Sequence, residues 1–169
     1  IKIDLISVSI DSVIHETYAK IREGGDLQVL KRNIVSIVQY VKEREIRTGE
    51  TIKVFLNYTL QNDNAYELKS MFEYTEQVGV NPMILFLYEP SEMSIESWNE
   101  NKKFALLQHY FQTLDKRWLL ISNRFSMAVI RSLKSEVVKN KMLAMYNLIT
   151  DGNISLFAKT SLNPQEYLK

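Results

Sequence analysis

Thr51-Ile52-Lys53-Val54-Phe55-Leu56-Asn57-Tyr58-Thr59-Leu60, followed by Gln61-Asn62-Asp63-Asn64, is the stretch on which the fold of this chain turns. A run rich in β-branched and aromatic residues and closed by a polar loop predicts a strand. Before it, Leu27, Leu30, Ile34, Ile37, Val38 and Val41 recur at helical spacing, one stripe facing a sheet, and the helix runs out through the charged stretch Lys42 to Arg47 into Thr48-Gly49-Glu50. After it, a helix predicted over 65–77 puts Leu68, Met71, Phe72 and Thr75 on one side, Gly79 stops it, and Met83 to Tyr88 reads as a nearly continuous apolar strand. At the amino end, Ile1 to Ile10 is a further apolar, β-branched strand. Ser12 is placed to cap a short helix through Ile14, Tyr18 and Ile21, which Gly24-Gly25-Asp26 breaks. Strands separated by helices of this length imply a parallel sheet, because parallel neighbours need a long crossover. The predicted class is therefore α/β, built from parallel βα units.

Glu89-Pro90-Ser91-Glu92 marks a change of character. Phe104, Leu107, Phe111 and Leu114 predict a helix, Leu119-Leu120-Ile121 a short strand, and Phe125 to Leu133 another helix. Leu143 to Thr150 and Asn153 to Phe157 flank Asp151-Gly152, a strong hairpin signal. The expected division is 1–90 as a βα region and 91–169 as a mixed α+β, largely helical extension ending in a β-hairpin. The chain opens inside a strand and without Met, so we expect a fragment of a larger protein.

Composition narrows the function classes. In 169 residues, 46% hydrophobic and 11% aromatic content supports a buried core, so disorder is excluded as the general state. Twenty-one Lys and Arg against twenty Asp and Glu leave a formal charge of +1, which provides no broad field for nucleic acid or an acidic membrane. There is no cysteine, which excludes disulfides, thiolate zinc sites and thiolate-held iron–sulfur clusters within this chain. No apolar run approaches the roughly 18 residues of a membrane span. A soluble, cytoplasmic chain is the expectation. His15 and His109 are far apart and lack a second ligand at metal spacing. Gly24-Gly25 follows a helix rather than a strand, which suits a turn better than a phosphate loop, and Glu43, Glu45 and Glu50 sit among Lys and Arg as a solvated face.

Position says more than residue type. Ligands of parallel sheets gather at the carboxyl ends of the strands, which here carry Ser9, Asp11 and Ser12, then Asn57 and Thr59, then Tyr88 and Glu89. Capping and turn formation account for the same residues, and both readings stand at this point.

The order of motifs carries a resemblance. Ser7-Val8-Ser9-Ile10-Asp11-Ser12, Glu16-Thr17-Tyr18-Ala19-Lys20-Ile21-Arg22-Glu23-Gly24-Gly25-Asp26, Val29 with Asn33-Ile34, Ile52 to Asn57, Asn64 with Glu67-Leu68, and Val78-Gly79-Val80 together resemble the radical SAM superfamily, above all its SPASM-type members. The resemblance covers residues 1 to about 90 and implies strands four to six of a (β/α)6 partial TIM-like barrel. It also implies that the parent enzyme uses S-adenosylmethionine and a [4Fe–4S] cluster for radical chemistry. Ser9 matches a serine facing the adenosylmethionine ribose and carboxylate, Asp11 shares its turn, Arg22 matches an arginine that pairs with the methionyl carboxylate, and Asn57 matches a polar position near the cofactor. Asn64 and Glu67 are expected to cap the following helix. The cluster-binding cysteine loop is absent, so this chain alone is expected to bind neither group and to be inactive, completing its site with an amino-terminal half of the barrel. A peptide or protein is the substrate class the resemblance suggests. The competing reading is a catalytically dead α/β module that binds a peptide or protein partner.

One further expectation concerns the first strand. With nothing but Lys2 and Asp4 to blunt it, an unpaired edge over 3–10 predicts self-association by strand pairing.

Overall fold

The computed structural model describes residues 3–151. It is an α/β fold whose described residues divide between Leu85 and Phe86 into two compact units. In the first, β1 (Leu5–Ser9), α1 (His15–Ile21), α2 (Leu27–Thr48), β2 (Lys53–Leu60), α3 (Leu68–Val78) and β3 (Asn81–Phe86, ending at the boundary) alternate as the hydrophobic patterns predict. The sheet is parallel with strand order β1-β2-β3. β1 and β2 pair in the register Leu5 to Lys53 through Ser9 to Asn57.

The period of two along a strand sets which face is covered. Val54, Leu56, Tyr58 and Leu60 of β2 are buried, while Phe55, Asn57 and Thr59 between them are only half-buried. On β1, Ile6 and Val8 are half-buried, whereas Leu5, Ser7 and Ser9 are exposed. The covered face meets the helices: Val41, Ile52 and Val54 form a cluster with Ile6, Ile37 and Val80 packed against it. Burying such side chains is worth about 1.5–3 kcal/mol each, which is what holds the long crossover on the sheet. The opposite face carries Leu5, Ser7, Ser9, Lys53, Phe55, Asn57 and Thr59.

Backbone bonds fix the edge as well. The Lys53 N–H donates to the Asp4 carbonyl (3.1 Å) and the Ile10 N–H to the Asn57 carbonyl (3.0 Å), so even-numbered residues of β1 aim their peptide groups at β2. By alternation, the N–H and C=O groups of Leu5, Ser7 and Ser9 point away from the sheet. β1 is thus an open edge among the described residues.

The helix ends follow local chemistry. Asp26 caps α2 by accepting the Gln28 and Val29 N–H groups (2.8 and 3.0 Å), and the Val29 bond leads in lowering its carboxyl below the usual range. Gly49 closes the same helix at φ 70°, a conformation a side chain would resist. Ser12 does not cap α1; Ile14 holds that place without a side-chain bond, and the Ser12 hydroxyl accepts the Ile14 N–H (3.0 Å) from two residues back.

The second unit is helical among the described residues. After single turns at Ser91–Met93 and Ile95–Ser97 come α4 (Glu100–Thr113), α5 (Lys116–Ile121), α6 (Asn123–Arg131) and α7 (Glu136–Thr150). Two expectations are corrected here. Leu119-Leu120-Ile121 is not a strand but the end of α5, which Asp115 starts by accepting the Trp118 N–H (2.8 Å). Leu143 to Thr150 is not a hairpin arm but part of α7, whose buried Val138, Met142, Met145, Tyr146 and Ile149 recur at helical spacing. The extension is therefore not mixed α+β where it is described; Asn153 to Phe157, the other proposed arm, lies outside the described residues. No helix among the described residues is long and apolar enough to cross a membrane.

Candidate functional site

The carboxyl edge of β1 and β2 is held by side chains that answer backbone groups. Asn64, fully buried in the loop after β2, donates from its amide nitrogen to the Asp11 carbonyl (2.7 Å) and the Thr59 carbonyl (2.8 Å), and accepts the Gln61 N–H at its amide oxygen (2.9 Å). The Tyr58 hydroxyl donates to the Asn64 carbonyl (3.1 Å). One side chain thereby ties the end of β1 to the end of β2. Asp11 sits at φ 53°, in the left-handed region that Asp tolerates better than most residues, and its carboxylate is buried. One oxygen accepts the Thr59 N–H (3.0 Å), and the other takes Arg22 Nε (2.7 Å) and Arg22 Nη2. Arg22 stands at the end of α1, where its backbone N–H donates to the Tyr18 carbonyl (2.8 Å).

A second carboxylate bridges the same two loops. Glu67 accepts the Ser12 hydroxyl on one oxygen (2.6 Å) and the Thr17 hydroxyl on the other (2.5 Å). Lys20 and Asp63 close the rim with an ion pair (2.5 Å). Neither Asn64 nor Glu67 caps a helix through its side chain, contrary to expectation. Each satisfies groups about fifty residues away, and residue type at the loop positions is the only trace of that role in the sequence.

Of the four residues singled out as cofactor contacts, the structure brings them together in two pairs. Asp11 and Arg22 pair with each other, so the guanidinium spends Nε and Nη2 on a protein carboxylate. Ser9 and Asn57 lie directly opposite in the parallel register, side by side on the face that carries Ser7 and Phe55. Ser9 is exposed, and the Asn57 amide oxygen is buried with no hydrogen-bond partner among the described residues. An unmet acceptor of this kind costs about 1–3 kcal/mol and so calls for a donor.

The residues present do not fit a thiolate-held iron–sulfur cluster. The chain has no cysteine, and the described residues hold no group of three or more metal-ligating His, Cys, Asp or Glu side chains. No family model matches the chain, and no curated protein or solved structure matches it either.

Proposed function

We propose that this chain supplies part of the S-adenosylmethionine site of a radical SAM-type enzyme, its βα region forming a portion of a partial barrel. The observation that carries the reading is the Ser9 and Asn57 pair at the carboxyl edge, Ser9 exposed and the Asn57 oxygen without a hydrogen-bond partner among the described residues. Serine offers a donor to a carboxylate or an acceptor to a ribose hydroxyl, and Asn57 accepts from a ribose hydroxyl or an ammonium. Arg22 has five N–H donors, two nitrogens of which serve Asp11, so a ligand carboxylate shares the remainder of the fork. When bound, adenosylmethionine supplies reductively triggered hydrogen abstraction; the cluster that provides the electron fits no residues of this chain and belongs to residues outside it. A peptide or protein substrate, and a cytoplasmic setting, complete the reading.

The test uses the full gene product that carries this chain, reconstituted anaerobically with iron and sulfide, and measures S-adenosylmethionine binding by titration calorimetry. Asn57→Ala and Ser9→Ala should each weaken binding about tenfold, the effect of one lost hydrogen bond of about 1.4 kcal/mol. Unchanged affinity in both variants removes this pair from the site, and a product that binds no adenosylmethionine removes the reading.

A second reading rests on the outward peptide groups of Leu5, Ser7 and Ser9. An open edge without a charge between Leu5 and Ile10 accepts an extended strand, which suits a catalytically inert module that binds a peptide, or self-association with a second copy. Sedimentation at rising concentration separates it: a mass that grows with concentration and falls when Ser7→Pro removes one edge donor supports strand addition.

A further inference from the structure

The helical unit contains a buried amine with unmet hydrogen-bonding capacity. Lys103, one turn into α4, is only 6% exposed, yet the single hydrogen bond its ammonium makes among the described residues is a long one, 3.4 Å to the Ser132 carbonyl. An ammonium has three donors and is costly to bury with two of them idle. Lys103 lines a cavity of about 470 Å³, within the size range of small-molecule sites, together with Glu96, Trp98, Asn99, Ser132 and Lys134.

The charges around that cavity are balanced but not paired. Glu100 also lines it, and one of its oxygens is committed to the Ser135 N–H at the start of α7 (2.8 Å). Glu96 makes no ion pair with Lys103 or with Lys134 among the described residues, although it acts on the Lys103 charge through space. Lys102 does not contribute a free charge to the wall, because its ammonium lies 3.6 Å from the centre of the Trp98 ring. Two cations and two anions thus face one cavity, and a ligand with net charge of either sign would meet one repelling pair. A molecule that is neutral overall and carries its own separated charges meets none.

We propose that this cavity binds a neutral α-amino acid as its zwitterion, the carboxylate on Lys103 with Lys134 beside it and the ammonium on Glu96. The ligand carboxylate supplies the acceptors that Lys103 lacks, and Trp98, which also lines the cavity, offers apolar surface to the side chain. Burial lowers the Lys103 pKa against the opposing pull of Glu96 and Glu100, as expected for an amine whose counter-ion is not within bonding distance.

Equilibrium dialysis of the full chain against radiolabelled L-serine, L-leucine and L-phenylalanine tests the assignment. Saturable binding of at least one is expected, with the methyl ester and the N-acetyl derivative of that amino acid each at least tenfold weaker. Lys103→Met, which keeps the length and apolar stem of the side chain, should abolish binding while the far-UV circular dichroism is unchanged. A second measurement needs no variant: in the ligand-free chain Lys103 should be reductively methylated through the cavity, more slowly than Lys116 on α5, and the bound amino acid should slow Lys103 further while Lys116 is modified as before, read by peptide mass spectrometry. Binding of none of the three, an ester or N-acetyl derivative as strong as the free amino acid, or methylation of Lys103 unaffected by ligand would each overturn the proposal.

Discussion

Removing the Asn64 side chain separates two roles that the same residue type can play. As a helix cap its loss costs about 1 kcal/mol, and aspartate in its place is as good, since Asn and Asp cap equally well. As a bridge, its loss strands the Gln61 N–H and the Asp11 carbonyl, whose bonds to it are buried, and the Thr59 carbonyl, whose bond is partly buried. Each stranded group costs about 1–3 kcal/mol, with the partly buried one recovering some of its loss from water, so Asn64→Ala should destabilise the chain by about 3–5 kcal/mol. Asn64→Asp should be at least as damaging near neutral pH, because it replaces the two donors by a carboxylate oxygen aimed at two carbonyls. Its protonated form can donate again, so a raised folded-state pKa at the introduced carboxyl makes the Asp variant recover stability as pH falls, whereas the Ala variant does not. Urea unfolding followed by far-UV circular dichroism gives the free energies, and hydrogen exchange at the Gln61 amide gives the local effect. A cost near 1 kcal/mol for alanine together with a neutral aspartate would refute the bridge.

Arg22→Ala should cost about 2 kcal/mol, below the 3–5 kcal/mol of a fully buried broken pair, because its side chain is 47% exposed while the Asp11 carboxylate it leaves behind is buried; a urea midpoint within error of wild type would show that the pair contributes nothing. Lys103→Met should stabilise the chain at neutral pH. The folded-state pKa of Lys103 lies below its ordinary 10.5, so the buried charge is a full burden below that folded pKa and is relieved as pH rises through it. The advantage of methionine over lysine, measured by urea unfolding across alkaline pH, should therefore shrink towards 10.5, and an advantage that grew instead would contradict the burial argument.

The first unit was legible in the sequence because its elements are amphipathic over long stretches. Leu68, Met71, Phe72 and Thr75, picked out from spacing alone, are the four residues that α3 buries, and four of the six residues in the α2 stripe are buried. In the second unit the apolar runs are short and lie beside strong turn signals. Leu119-Leu120-Ile121 reads equally as strand or helix until Asp115 is seen capping it, and the Asp151-Gly152 signal outweighed a helical period in α7 that was present in the sequence. Part of the site was visible and part was not. Strand ends drew attention to Ser9, Asp11 and Asn57, but no local pattern joins Asp11 to Arg22, or Asn64 to the end of β1. The Asn64 contact exists only once the crossover has returned the chain, and the Asp11–Arg22 pair joins residues 11 positions apart that share no periodic pattern. Lys103 was hidden for another reason: next to Phe104 in a polar helix start, it has the sequence surroundings of an ordinary solvated lysine.

The links across the carboxyl edge also set a timetable for biosynthesis. Thr17 and Ser12 bond to Glu67 across 50 and 55 residues, and Asp11 waits 53 residues for Asn64. At about 5–20 residues per second of translation, the amino-terminal half of this edge leaves the ribosome several seconds before its partners. During that interval Arg22 can already come within reach of Asp11, a contact spanning only 11 residues. That local salt link is therefore available to a nascent chain as a placeholder, holding the turn after β1 until Thr59 and Asn64 arrive to complete it. A ribosome stalled between Arg22 and Asn64 therefore displays a half-built edge, which is completed only once Glu67 has been made.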